Sequence, residues 1–459
     1  MLVPGGCRAP VMIGKNVQMA TIVERIGEYN KFGSKLGLSR MESLLARLGD
    51  PHKDLRVLHV AGTNGKGSCC KYLYEMLRAG GYRTGLYISP FIEVFNERMQ
   101  MDGANIPDEA LERLGDQVIL AAEEMVAGGG ESPTEFEIVT AIAFLWFAEQ
   151  KADFVVLEVG LGGSGDSTNV VPDPLVCMIT SIGWDHMDRL GDTLAKIARE
   201  KAGIIKDGAP VIMNVTDPEA RAVIEHVAAA HKAPLTDVVQ IAVEDLAVTA
   251  DGTYFSATIL GHPFRNVHLA MPGEHQARNA VCALAAIELL RQNDIIKVEE
   301  YALMEGLEKA VQPGRFEILR DRKDPAKRFV LDGAHNTDGV RTLRLSMEQI
   351  FAGRRVLVVC GILADKAVDE MLDDLTALGE RFLTVPVSNP RTMEAAHLAE
   401  KITERGKDAA VCVTPAEAVS KAAGLLEEEP YDVCLFAGSL YLIGEIRSLL
   451  RNGYLWETN

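Results

Sequence analysis

The chain has 459 residues, more than one ordinary core organises, so two or three domains are expected. Apolar residues make up 47% and charged residues 24%, a normal balance for a globular protein in water. A formal net charge of −18 argues against broad binding along a nucleic-acid backbone, which calls for a basic face, but leaves room for a local cationic pocket.

In chain order, residues 1–20 carry prolines, glycines and two further methionines, Met12 and Met19, and read as a loose extension. No apolar run there suits a signal peptide. None anywhere reaches the roughly 18 residues of a membrane span, so a cytoplasmic protein with no membrane partner is expected. The eight cysteines form no C-x-x-C pair and mostly sit in apolar runs such as VLVVC and DVCLF, which predicts buried free thiols.

Short β-branched runs then alternate with amphipathic stretches. RVLHVA (56–61), TGLYI (84–88), FVVLEV (154–159), LVCMIT (175–180) and PVIMN (210–214) read as buried strands. EFEIVTAIAFLWFAEQ (135–150) reads as helix. The alternation predicts an α/β fold, a mostly parallel sheet of the phosphate-loop type with flanking helices and ligands at the carboxyl ends of its strands. From 235 to 270 the period changes to two, with an Asp251-Gly252 turn signal, and a small antiparallel subregion is expected. Helical texture resumes over 275–292. After Val311 a second alternating series begins: RFVLDGAH (328–335), RVLVVCGI (355–362), RFLTVPV (381–387) and DVCLFAGS (432–439). The predicted division is 21–312 for a central nucleotide-binding domain and 313–459 for a smaller Rossmann-like α/β domain.

The first strand runs into GTNGKGS, residues Gly62, Thr63, Asn64, Gly65, Lys66, Gly67 and Ser68, followed by a helix. The common phosphate-loop pattern has lysine directly before the hydroxyl residue; here Gly67 intervenes. The physical parts are present all the same. Glycines let backbone N–H groups turn toward an anion, the helix offers its positive end, and Lys66 supplies a mobile cation. The alternative is a βα turn without a ligand.

GTNGKGS resembles the loop of the Mur ligase superfamily, and within it the folylpolyglutamate synthase and dihydrofolate synthase family. The resemblance runs from about residue 22 to 448. It includes SPFIEVFNERM (89–99), TEFEIVTAIAF (134–144), LEVGLGGSGDSTNVV (157–171), DHMDRLGDTLAKIAREKAGIIK (185–206), PGEHQARNA (272–280), PGRFEI (313–318) and LDGAHN (331–336). It implies an ATP-dependent amide ligase whose substrates are ATP, a reduced folate and L-glutamate. Family habit implies a monomer.

Glu158 ends a buried run, where a carboxylate needs a metal or a cationic side chain to offset its desolvation. His186 taken alone reads as a surface or capping group. The resemblance implies two magnesium sites, one by Ser89 and Glu158 and one by Glu158, His186 and a carbamylated Lys201. Carbon dioxide adds to a neutral amine, and the carbamate presents the anionic oxygens that a hard cation prefers.

Arg315 at the domain junction suits bidentate phosphate binding, or a structural ion pair at the hinge. The resemblance assigns Asp332 and His335 to the nucleotide and the catalytic centre, and Asn279 to the adenine end, although Asn279 alone reads as a helix-surface residue. Lys366 and Ser439 are candidates for the incoming glutamate. Thr134, Asp166 and Phe91 are candidates for the acyl substrate, with Phe91 equally readable as core. In GGSGDSTN (162–169), serine and glycine replace the arginine and leucine common in the family, so any substrate contact by that arginine does not carry over. Two other readings compete: a cell-wall Mur ligase, for which little room precedes the loop, and a nucleotide-binding ATPase without ligase chemistry.

Overall fold

A computed structural model describes residues 20–33, 35–320 and 326–453. Of the expected extension 1–20, all but Ala20 lies outside the described residues.

The first sheet comprises β1 (Val57–Ala61), β2 (Thr84–Tyr87), β3 (Met99–Met101), β4 (Ala104–Asn105), β5 (Phe154–Glu158), β6 (Val176–Ile179), β7 (Val211–Met213) and β8 (Leu235–Asp237). Their order is β4-β3-β2-β5-β1-β6-β7-β8, parallel except for β3 and β4. β1, β2, β5, β6 and β7 are buried throughout, which is why they read as continuous apolar runs rather than alternating ones. Helices cover both faces. Helix Lys66–Ala79 packs with Glu274–Gln292 on one side, and Asp108–Ala127 with Glu135–Glu149 on the other. The helix at 135–149 is nearly all buried, so its apolar residues run round the whole cylinder.

The change of period after 235 marks β9 (Glu244–Thr249), β10 (Gly252–Ile259) and β11 (His262–Leu269), a three-stranded antiparallel sheet turning at Asp251-Gly252. The last sheet holds β12 (Glu317–Arg320), β13 (Arg328–Asp332), β14 (Val356–Cys360), β15 (Arg381–Thr384), β16 (Asp408–Val411) and β17 (Val433–Ala437). Its order is β12-β13-β17-β14-β15-β16, with only β12 antiparallel. Seven cysteines, Cys69, Cys70, Cys177, Cys282, Cys360, Cys412 and Cys434, are buried free thiols, as predicted. Among the described residues no helix is long and apolar enough to cross a membrane.

Candidate active site between the two sheets

Parallel strands that end at one edge deliver their following loops to one place. β1 lies between β5 and β6, with Val60 beside Glu158 and Ala61 beside Ile179. The glycine loop after β1 is therefore flanked by Glu158 on one side and Thr180-Ser181 on the other. β2 pairs with β5, which brings Ser89 alongside; its N–H donates to Glu158 Oε2 at 3.1 Å.

The loop is fastened from below. Thr63 N–H donates to the Ser181 carbonyl (2.8 Å) and Asn64 N–H to Ser181 Oγ (2.9 Å), while Thr180 Oγ1 donates to the Asn64 carbonyl at 2.6 Å. The glycines answer to close approach. A Cβ on Gly62 would lie 1.9 Å from Thr180 Oγ1, and one on Gly65, at φ +85°, 2.5 Å from Asn279 Oδ1. Gly65 caps helix Lys66–Ala79 without a side-chain capping hydrogen bond, so no side chain of the cap satisfies the first N–H groups at the helix's positive end. Lys66 Nζ, at 3.2 Å from the Thr63 carbonyl, folds over its own loop. Gln276 Nε2 donates to Ser68 Oγ at 3.4 Å, and Asn279 Nδ2 to Gln276 Oε1 at 3.3 Å. Asn279 thus packs against the loop itself.

Glu158 is buried. Its pKa is raised by burial, against the opposing pull of Lys66, the Ser89 N–H and Arg315. Among the described residues no Lys, Arg or His stands within ion-pair distance of it. Nor do three His, Cys, Asp or Glu side chains converge as a protein-only metal cage among those residues. That donor set fits magnesium, which takes one or two protein oxygens and fills its octahedron with water and phosphate. Lys201 is buried too, with Nζ donating to the Gly62 carbonyl at 2.8 Å. Burial, with Lys66 nearby, lowers its pKa to about 7, which makes the neutral amine accessible near neutrality. His186 is left-handed (φ 51°) and exposed, and partial desolvation lowers its pKa against the opposing pull of Asp185.

The second sheet supplies the facing wall. Asp332 ends β13 beside Ala437 of β17, two residues before Ser439. Its carboxylate accepts the Phe316 and Ala334 N–H groups, both at 2.8 Å, and so fixes the turn that carries Arg315. His335 Nδ1–H donates to the Gly333 carbonyl at 2.8 Å, and burial lowers its pKa to about 4; the neutral ring points Nε2 toward Asp185, 3.8 Å away. Ser439 Oγ is buried without a hydrogen-bond partner.

Asp185 was not singled out in the sequence, yet it joins the two walls. It accepts Lys366 Nζ at 2.7 Å and Asn336 Nδ2 at 3.3 Å, and Asn336 also bonds Asn64 of the glycine loop. Burial opposes its charge, but His186, Lys366 and His335 together hold its carboxyl well below the usual range. The only local signal was the Asp-His pair just past a strand.

The candidates for the acyl substrate lie apart from this wall and are structurally engaged. Thr134 caps helix Glu135–Glu149 in a reciprocal box with Glu137, which also pairs with Arg40. Asp166 accepts from Leu161 N, Thr168 N and Thr168 Oγ1 and holds its loop closed; burial raises its pKa. Phe91 packs against Phe95, with Arg98 over both rings. Gly165 is needed for contact rather than for flexibility, since a Cβ there would sit 2.9 Å from Gly37 N and from Leu36 Cβ.

Comparison with known proteins places this architecture. The Mur ligase middle domain matches residues 60–287, and the Mur ligase glutamate ligase domain matches 314–440. A Bacillus subtilis dihydrofolate synthase/folylpolyglutamate synthase is 40% identical over 92% of this chain and 96% of its own length. The chain belongs to the dihydrofolate synthase/folylpolyglutamate synthase family. Two solved folylpolyglutamate synthases agree in fold. The Thermotoga maritima enzyme has a TM-score of 0.82 at 33% identity, covering 95% of this chain and 98% of that one. The Mycobacterium tuberculosis enzyme, solved with ADP, has a TM-score of 0.86 at 27% identity, covering 95% and 99%. Family membership accounts for a glycine loop, a buried lone carboxylate and a facing α/β domain in one chain, and it disfavours both competing readings.

Proposed function

We propose that the chain is an ATP-dependent ligase that joins L-glutamate to the γ-carboxylate of a tetrahydrofolate or its polyglutamates, with dihydropteroate as a further acceptor of glutamate. One observation carries the reading. The loop Gly62–Ser68, with Glu158 beside it through Ser89, is tied to the second sheet by Asn64–Asn336, and Lys366 of that sheet's side pairs with Asp185. The B. subtilis relative bears both activities in its name, which supports the second acceptor.

In this reading residues 21–312 bind ATP and residues 313–459 receive glutamate. The loop N–H groups and Lys66 hold the β- and γ-phosphates, and Arg315 reaches them from the turn between the sheets. The folate carboxylate attacks the γ-phosphorus to give an acyl phosphate and ADP. The glutamate amine then attacks the acyl carbon, and the tetrahedral adduct expels phosphate as the amide forms. Lys366 and the unpartnered hydroxyl of Ser439 orient the glutamate carboxylates. Ser89 and Glu158 would hold one magnesium ion, and Glu158, His186 and carbamylated Lys201 a second; such ions neutralise phosphate charge when bound. Closing the cleft excludes water from a hydrolysable intermediate.

Glutamate-dependent phosphate release, measured with tetrahydrofolate, dihydropteroate and a UDP-muramyl peptide in parallel, tests the proposal. Release is expected with tetrahydrofolate and only with glutamate present. Release with the muramyl peptide alone, or release indifferent to glutamate, would reject it.

A further inference from the structure

Two elements of the nucleotide site converge on one buried arginine remote from the chemistry. Arg447 lies on the last helix, Leu440–Gly453, with its side chain 11% exposed. Its Nε–H donates to Glu317 (3.0 Å and 2.9 Å to the two oxygens), and an Nη1–H donates to Glu93 at 2.5 Å. Arg451 adds a second contact to Glu93 at 3.0 Å. The pairs link positions 130 and 354 residues apart in the chain.

Each carboxylate leads back to the site. Glu93 belongs to the loop that begins at Ser89. Glu97 gathers that loop by accepting the N–H groups of Ile92, Glu93 and Val94, and Ile88 N–H closes it on the Arg98 carbonyl at 3.1 Å. Glu317 accepts the Gly314 N–H at 3.0 Å, and Gly314 O accepts from Gly333 N, so Glu317 fixes the turn bearing Arg315. The backbones leave no slack. A Cβ on Gly444 would lie 1.9 Å from the Ile92 carbonyl oxygen, and one on Gly314 2.8 Å from Ile443.

We propose that Arg447 is a positioning residue for the nucleotide. By clasping Glu93 and Glu317 in one guanidinium fork it sets the Ser89 loop and the Arg315 turn at a fixed separation, so the two ends of the phosphate site are gauged by the C-terminal helix. The proposal rests on the reading of Ser89 and Arg315 as groups on the metal and phosphate side. A planar fork suits the task because two carboxylates are reached from one side chain in set directions, which an ammonium point charge does not do.

The test compares R447M, R447K, E93Q, E317Q and R315A by steady-state kinetics in all three substrates. The dissociation constant of a nonhydrolysable ATP analogue is measured by calorimetry, and melting temperature is recorded. R447M is expected to raise both the KM for ATP and that dissociation constant by about tenfold, a misplacement effect. The KM values for glutamate and reduced folate should stay within about twofold, the signature of lost nucleotide binding alone. R447K should recover only part of the loss. E93Q and E317Q, which keep the side chain's shape but remove the charge and turn one acceptor oxygen into a donor, should show the same ATP-selective change and serve if R447M does not fold. R315A should weaken ATP more than any of them. Equal losses in all three substrates, or a lowered melting temperature with unchanged ATP binding, overturn the positioning role. If R315A leaves ATP binding intact, the assignment of the phosphate site is what fails.

Discussion

His59 lies in the middle of β1, three residues before the glycine loop, and is wholly buried. Thr168 Oγ1 spends its proton on Asp166 at 2.5 Å, so it accepts the Nε2–H of His59 at 2.9 Å. Nδ1 has no partner. Burial, with Lys206 nearby, lowers the pKa of His59 from 6.5 to about 3. The unfolded chain therefore binds a proton below about pH 6.5 that the folded chain refuses until about pH 3, and stability falls as pH drops through that window. At pH 5 the difference amounts to about 2 kcal/mol for this one group, against almost nothing at pH 7. H59Q keeps an N–H within reach of Thr168 but cannot titrate. It should cost about 1 kcal/mol at pH 7, yet lose about 2 kcal/mol less than the wild type between pH 7 and pH 5. Urea denaturation at both pH values, followed by tryptophan fluorescence and circular dichroism to check two-state behaviour, measures the difference. Parallel losses in the two proteins would refute the claim that His59 is held neutral by the core.

Three other substitutions bear on the site. G62A places a methyl against Thr180 Oγ1 at a φ of +153°, so it should destabilise the loop by about 2 kcal/mol and abolish phosphate release, read by calorimetry and a coupled assay. D185N removes the charge that pairs with Lys366, both side chains being 10% exposed; kcat should fall at least about tenfold and the melting temperature should fall with it, and unchanged kcat would show that the pair has no part in the reaction. T134V deletes the helix-capping box and should cost about 1 kcal/mol or more. If Thr134 also touches the acyl substrate, the KM for reduced folate rises as well, whereas a purely capping residue leaves it unchanged.

The fold was legible wherever burial imposes a local period. Runs such as FVVLEV and VLVVC became strands buried on both faces, and the switch to period two after residue 235 became a separate antiparallel sheet. Elements with weak patterns went unread. The hairpin of β3 and β4 is only three and two residues long, and β12 and β16 are partly exposed edge strands of the last sheet. Short edge strands carry few buried side chains, so composition gives them no signature.

The site divides along the same physical line. Residues that work through backbone form announce themselves locally, since Gly62 and Gly65 are demanded by close approach or a left-handed turn, and Glu158 stands out as a charge closing an apolar strand. Residues that work by pairing across the cleft do not. Asp185 finds Lys366 181 positions away, and Arg447 finds Glu93 354 away; each is one ordinary charge among 112 until the chain has folded. These unannounced pairs bridge the two walls, as the Asn64–Asn336 contact does. A ligase of this kind must bring an acyl phosphate and a free amine together while keeping water out. That demand falls on the long-range contacts, because the loops of each wall are already set by their own sheet.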